Sequence, residues 1–85
     1  MDTELTKLRA DIDDIDERLI SLLAERSKAV QALWAWKTRR GVARFDAERE
    51  EAVRTRALKR ADALGLDATA VGEVLRAIIG RTLLR

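Results

Sequence analysis

The stretch from Leu5 to Lys37 constrains the fold more than any other part of the chain. Its apolar residues fall at Leu5, Leu8, Ile12, Ile15, Leu19 and Leu22, in alternating steps of three and four. The same register continues through Arg26, Ala29, Leu33 and Trp36. This spacing is the a/d seam of a heptad repeat laid along one side of a helix. Neither Pro nor Gly interrupts it. One seam position, Arg26, carries a charge instead of hydrocarbon. A guanidinium on an apolar seam must be paired, or it must await an anion.

A first helix from about residue 4 to 39, with Thr3 as its candidate N-cap, would be a rod of ~50 Å at 1.5 Å per residue. Gly41 follows as a C-cap signal. The rest of an 85-residue chain cannot cover so long a seam in a compact monomer, so pairing with a second copy is the simple remedy. Asp46 reads as the N-cap of a second helix over 47–64, with Glu48 and Glu50 in its first turn, where carboxylates suit the macrodipole. Gly65 is a C′ residue, and Asp67 caps a third helix over 68–84. Val71, Val74, Leu75, Ile78, Ile79 and Leu83 are the apolar residues of that third helix. The expectation is one domain over residues 1–85, with no internal repeat or linker, in an all-α class.

Composition supports that class and closes off others. The chain is 47% apolar and 38% charged, with no Pro and four Gly. It has no alternating β-branched runs, which argues against strands, and too many apolar residues for disorder. No Cys or His occurs, which excludes thiolate chemistry, disulfides, zinc sites and His-based acid–base catalysis. Net charge is only +2, and acids are interspersed along the first helix. There is no one-sided basic stripe for nucleic acid. The N-terminus lacks a signal-peptide apolar region, and no run is long enough to span a membrane. The expectation is a cytoplasmic protein.

Side-chain directions at 100° per residue group the polar positions. Arg26 and Lys37, eleven residues apart, lie within about 20° of one stripe, with Val30 and Leu33, and ~16 Å apart along the axis. Two long cationic side chains at that separation can hold one small dianion between them. Arg9 lies ~25 Å from Arg26 and is rotated by roughly 100°. It cannot serve the same small ligand from the same chain, but from an antiparallel partner it can. The plainer reading of Arg9 is a surface arginine beside the seam. Asp46, Arg49 and Glu50 share one face of the second helix, where an N-cap with a local ion pair is the common explanation. Thr82 falls on the apolar face predicted for the third helix, where a threonine usually bonds back to its own backbone.

The residues in combination resemble AroQ-class chorismate mutases. Leu8-Arg9, Ile12-Asp13, Ile15-Asp16, Leu19, Leu22-Leu23 and Arg26 follow that family's opening pattern. Lys37 stands eleven residues on, Asp46, Arg49 and Glu50 match the second-helix motif, and Leu66-Asp67 precede the third helix. The match covers nearly the whole chain. It implies an intertwined helical homodimer with shared active sites and the Claisen rearrangement of chorismate to prephenate, leading to phenylalanine and tyrosine, without metal or cofactor. By matched position, Arg26 and the partner subunit's Arg9 would bind the two carboxylates. Lys37 would donate to the ether oxygen, and Glu50 would accept from the ring hydroxyl. Asp46 would assist, Arg49 would order that corner, Thr82 would contact a carboxylate, and Val30 and Leu33 would form the apolar wall.

Two departures from the pattern stand out. Many family members carry a Gln or Glu four residues beyond the Thr82 position as a second donor to the ether oxygen, and here that position lies past Arg85. Three readings stay open: Arg81 or Arg85 substitutes, the enzyme is slow alone, or a DAHP synthase partner completes the site. The second departure is Trp34-Ala35-Trp36, where packing or an interface is the expected role and stacking on a cation is the alternative. A 4-amino-4-deoxychorismate mutase on the same fold and a non-catalytic helical dimer are the competing functions. The intact Asp46, Arg49, Glu50 motif speaks against an isochorismate pyruvate lyase.

Overall fold

The computed structural model describes residues 2–85 and is all-helical, with three helices and no strand among them. α1 spans Thr3–Arg39, α2 spans Ala47–Ala63 and α3 spans Ala68–Ile78. Each start is set by an aspartate. Asp2, not Thr3, caps α1, accepting from the N–H groups of Glu4 and Leu5 at 3.0 and 3.2 Å. Asp46 accepts from Arg49 N–H at 3.0 Å, and Asp67 accepts from Ala70 N–H at 2.9 Å. Each cap satisfies amide donors that have no partner within the helix.

The first two ends share one device. Val42 N–H donates to the Lys37 carbonyl at 2.9 Å and Gly41 N–H to that of Thr38 at 3.3 Å, with Gly41 at φ 65°. Leu66 and Gly65 repeat the pattern onto Ala61 and Asp62, with Gly65 at φ 75°. These are Schellman closures, which need a left-handed residue at C′.

α3 ends differently, and six residues earlier than its apolar periodicity predicts. Ile79 is extended (φ −66°, ψ 128°), Gly80 has φ 69°, and Arg81 N–H donates to the Ile78 carbonyl at 3.2 Å. Those are the marks of a type II turn, which places Gly at its third position. Residues 81–85 then run without helix along α1, where Leu83 N–H donates to the buried Ser27 Oγ at 3.0 Å. Thr82 is therefore not on a helix face. It sits in this tail, and its Oγ1 accepts locally from Leu84 N–H at 3.4 Å.

α2 and α3 pack together, and the apolar residues buried within one chain are Ala61, Leu75 and Ile79. α1 projects from this pair, and the molecule measures 60 × 28 × 16 Å. Along α1 the seam residues Leu5, Leu8, Ile12, Ile15, Leu19 and Leu22 are 44–59% exposed. No helix among the described residues is long and apolar enough to cross a membrane.

Candidate active site

α1, the start of α2 and the turn after α3 meet at a cavity of about 160 Å³. α1 supplies Arg26, Val30, Leu33, Trp34 and Lys37 to its wall. The α1–α2 connection supplies Arg44, and the first turns of α2 supply Asp46, Arg49, Glu50 and Val53. Ile79 and Gly80, in the turn after α3, close it. A larger, shallow depression along α1 lies on the polar face beside the seam, where Asp14, Glu17 and Glu25 outnumber the single cation Arg18, so it lacks the cationic excess of the cavity.

The helix register explains why these side chains converge. Arg26, Val30, Leu33 and Lys37 recur at steps of four, three and four along one face of α1. The Schellman closure at Gly41 turns the chain back, so that the Asp46 cap faces that stripe. Asp46 leads its own side chain into the α2 backbone, and Arg49 and Glu50 follow one turn later.

Four cations, Arg26, Lys37, Arg44 and Arg49, share the wall with two carboxylates, Asp46 and Glu50. The ion pairs among the described residues are Lys7–Asp11 and Arg54–Glu51, both elsewhere. The site cations are instead oriented by carbonyls and a ring. Arg26 Nη1 donates to the Ile78 carbonyl at 2.7 Å, a carbonyl left over at the α3 end. Lys37 Nζ donates to the Arg44 carbonyl at 3.1 Å. The Arg44 guanidinium lies 4.1 Å from the centroid of the Trp34 ring. None of these contacts neutralises charge. An arginine has five N–H donors and a lysine three, so each keeps donors for a ligand. The cationic excess suits a small dianion.

The cavity thus brings together seven of the residues selected from sequence: Arg26, Val30, Leu33, Lys37, Asp46, Arg49 and Glu50. The pairing expected of Asp46 with Arg49 takes the form of a backbone cap. Arg9 lies far along α1, outside the cavity of its own chain, and Thr82 does not line it. Sequence reasoning missed Arg44, Val53, Ile79 and Gly80. Val53 is one turn after Arg49 and Glu50 and was open to the same face argument. Gly80 was visible as a lone glycine in an apolar run, a recognised stop signal. Arg44 had no spacing signal, because it sits outside a helix. Trp34 stacks on a cation in the cavity wall rather than packing in the interior.

An all-helical chain that frames a small cavity with an excess of cations belongs to the class of helical proteins with a cationic pocket. Within that class, residues 8–85 match the family model described as chorismate mutase type II, and the chain belongs to that family. It is also 37% identical over 79 residues to the T-protein of Enterobacter agglomerans, an alignment covering 93% of this chain and 21% of that protein. The chain therefore spans about a fifth of the length of that curated relative. No solved structure matches it.

Proposed function

We propose that this chain is a chorismate mutase, an isomerase that converts chorismate to prephenate on the route to phenylalanine and tyrosine. The observation that carries the reading is the cavity in which Arg26, Lys37, Arg49 and Glu50 converge with no ion pair to quench the cations. It is supported by membership of the type II family.

The reaction is intramolecular. A C–O bond breaks as a C–C bond forms, and no group on the protein bonds to the substrate. The protein's work is to hold a flexible dicarboxylate in a chair-like geometry and to stabilise negative charge growing on the ether oxygen. Arg26 binds one carboxylate with the donors that Ile78 leaves free. Lys37, held near the α1 end by the Arg44 carbonyl, donates to the ether oxygen. That contact strengthens as charge develops, so it favours the transition state over the ground state. Glu50 accepts from the ring hydroxyl, with Asp46 and Arg49 ordering the same corner. Val30 and Leu33 form the apolar wall and exclude water.

The second carboxylate falls to Arg9 of the partner subunit, which makes the homodimer part of the proposal. The exposed seam supports it. Covering six such side chains, at about 1.5–3 kcal/mol each, provides on the order of 10 kcal/mol toward association. Thr82 is given no role, because it lies in the tail and outside the cavity wall. The donor that the family often places four residues beyond it has no helical register here, since α3 ends at Ile78. Neither Arg81 nor Arg85 lines the cavity. Lys37 is then the main donor to the ether oxygen, and we include a DAHP synthase as the partner that would raise a modest activity. The test is loss of chorismate absorbance with purified protein, alone and with a DAHP synthase. No turnover under either condition would refute the reading.

A further inference from the structure

Gly80 meets two separate demands at the wall of the cavity. Its φ of 69° is the left-handed conformation that the turn after α3 requires. Independently, a Cβ built on it would meet Glu50 Oε2 at 2.8 Å, Cδ at 3.0 Å and Oε1 at 3.1 Å. The first distance is shorter than real Cβ contacts allow. The other two turn glycines, Gly41 and Gly65, have nothing within 4 Å of the corresponding point. They serve the backbone alone. At Gly80 the Glu50 carboxylate rests directly on the bare backbone of the turn.

The same turn holds Arg26. The Ile78 carbonyl, first residue of the turn, accepts from Arg26 Nη1 at 2.7 Å and from Arg81 N–H at 3.2 Å. Its two lone pairs are thereby used, one on the turn and one on the guanidinium. The tail beyond is tied to α1 by Leu83 N–H and Ser27 Oγ. One short, anchored segment thus backs both a cation and a carboxylate of the site.

We propose that Gly80 is a positioning residue: the missing side chain sets where the Glu50 carboxylate stands in the cavity. Any Cβ there pushes the carboxylate forward, into the space a ligand needs. Glu50 is a flexible side chain, so the fold accommodates this easily. The steric part of the effect therefore falls on the site, while the positive φ strains the turn separately. Its kinetic consequence rests on the mutase reading above, and its geometric content does not.

The test uses the full chain with Gly80→Ala and Gly80→Asn, alone and combined with Glu50→Asp. Asn tolerates positive φ better than Ala, so it separates the backbone demand from the spatial one. Crystal structures of both variants are expected to show the Glu50 carboxylate displaced by about 1 Å, with the turn retained. A misplacement of that size is expected to lower kcat/KM for chorismate by about 100-fold in both. Glu50→Asp, shorter by one methylene, should lose less activity in the Gly80→Ala background than in the wild type. An unmoved Glu50, near-wild-type activity of Gly80→Asn, or strictly additive losses in the double variant would each overturn the proposal. If Gly80→Ala does not fold, the Asn variant decides. If wild-type protein leaves chorismate unchanged, the mutase reading falls, and the position of Glu50 alone decides the role of Gly80.

Discussion

Arg26 began as a charge on a hydrocarbon seam and now has a defined partner, the carbonyl at the end of α3. It therefore carries two loads. Arg26→Ala is expected to remove nearly all turnover. It should also destabilise the chain by about 1.5–3 kcal/mol, the range for a hydrogen bond to a charged group. Activity assays paired with thermal melts separate the two losses. Lys37, whose bond to the Arg44 carbonyl is longer and exposed, is proposed to act chiefly on the developing charge, so Lys37→Ala is expected to reduce kcat by about 10²–10³ with a smaller change in melting than Arg26→Ala. Equal losses of stability in the two variants would contradict this division. Arg26 and Lys37 were legible in sequence because both lie on one helix, where angle and rise follow from residue number. Arg44 was not, because loop geometry has no such rule. Its stacking on Trp34 joins two residues ten apart through the α1 terminus.

The starts of α2 and α3 and the ends of α1 and α2 fell where Asp46, Asp67, Gly41 and Gly65 announced them. α1 begins one residue early, because Asp2 is the better cap than Thr3. The end of α3 was misread for a physical reason. Ile79 and Leu83 continue a helical apolar spacing, and that spacing also serves a tail folded back on α1. The turn at Gly80 wins because Arg26 and Ser27 supply partners for the groups that a continued helix would have satisfied internally. Ser27→Ala removes one of those partners and leaves the Leu83 N–H without an acceptor. A loss of about 1–3 kcal/mol is expected, together with faster hydrogen exchange at the Leu83 amide. Unchanged exchange at Leu83 would show that Ser27 does not hold the tail.

As a whole the molecule is a long helix with a small cap at one end, and one chain buries few of its own apolar residues. The account requires a dimer in solution, with about twice the 9.6 kDa of one chain by light scattering. A charge on the seam, as in Ile15→Glu, is expected to shift that mass toward the monomer. Turnover should fall with it if, as proposed, each site draws Arg9 from the partner subunit. Arg9→Ala should lower activity while leaving the mass unchanged. Mixing Arg9→Ala chains with Arg26→Ala chains should restore part of the activity, since one site in each mixed dimer is whole. The most direct measurement of the central claim is the absorbance of chorismate with purified wild-type chain, alone and with a DAHP synthase. The account predicts a steady loss of absorbance, with prephenate as product, that Lys37→Ala nearly abolishes. Absorbance that stays constant under both conditions, or falls equally with Lys37→Ala, would contradict it.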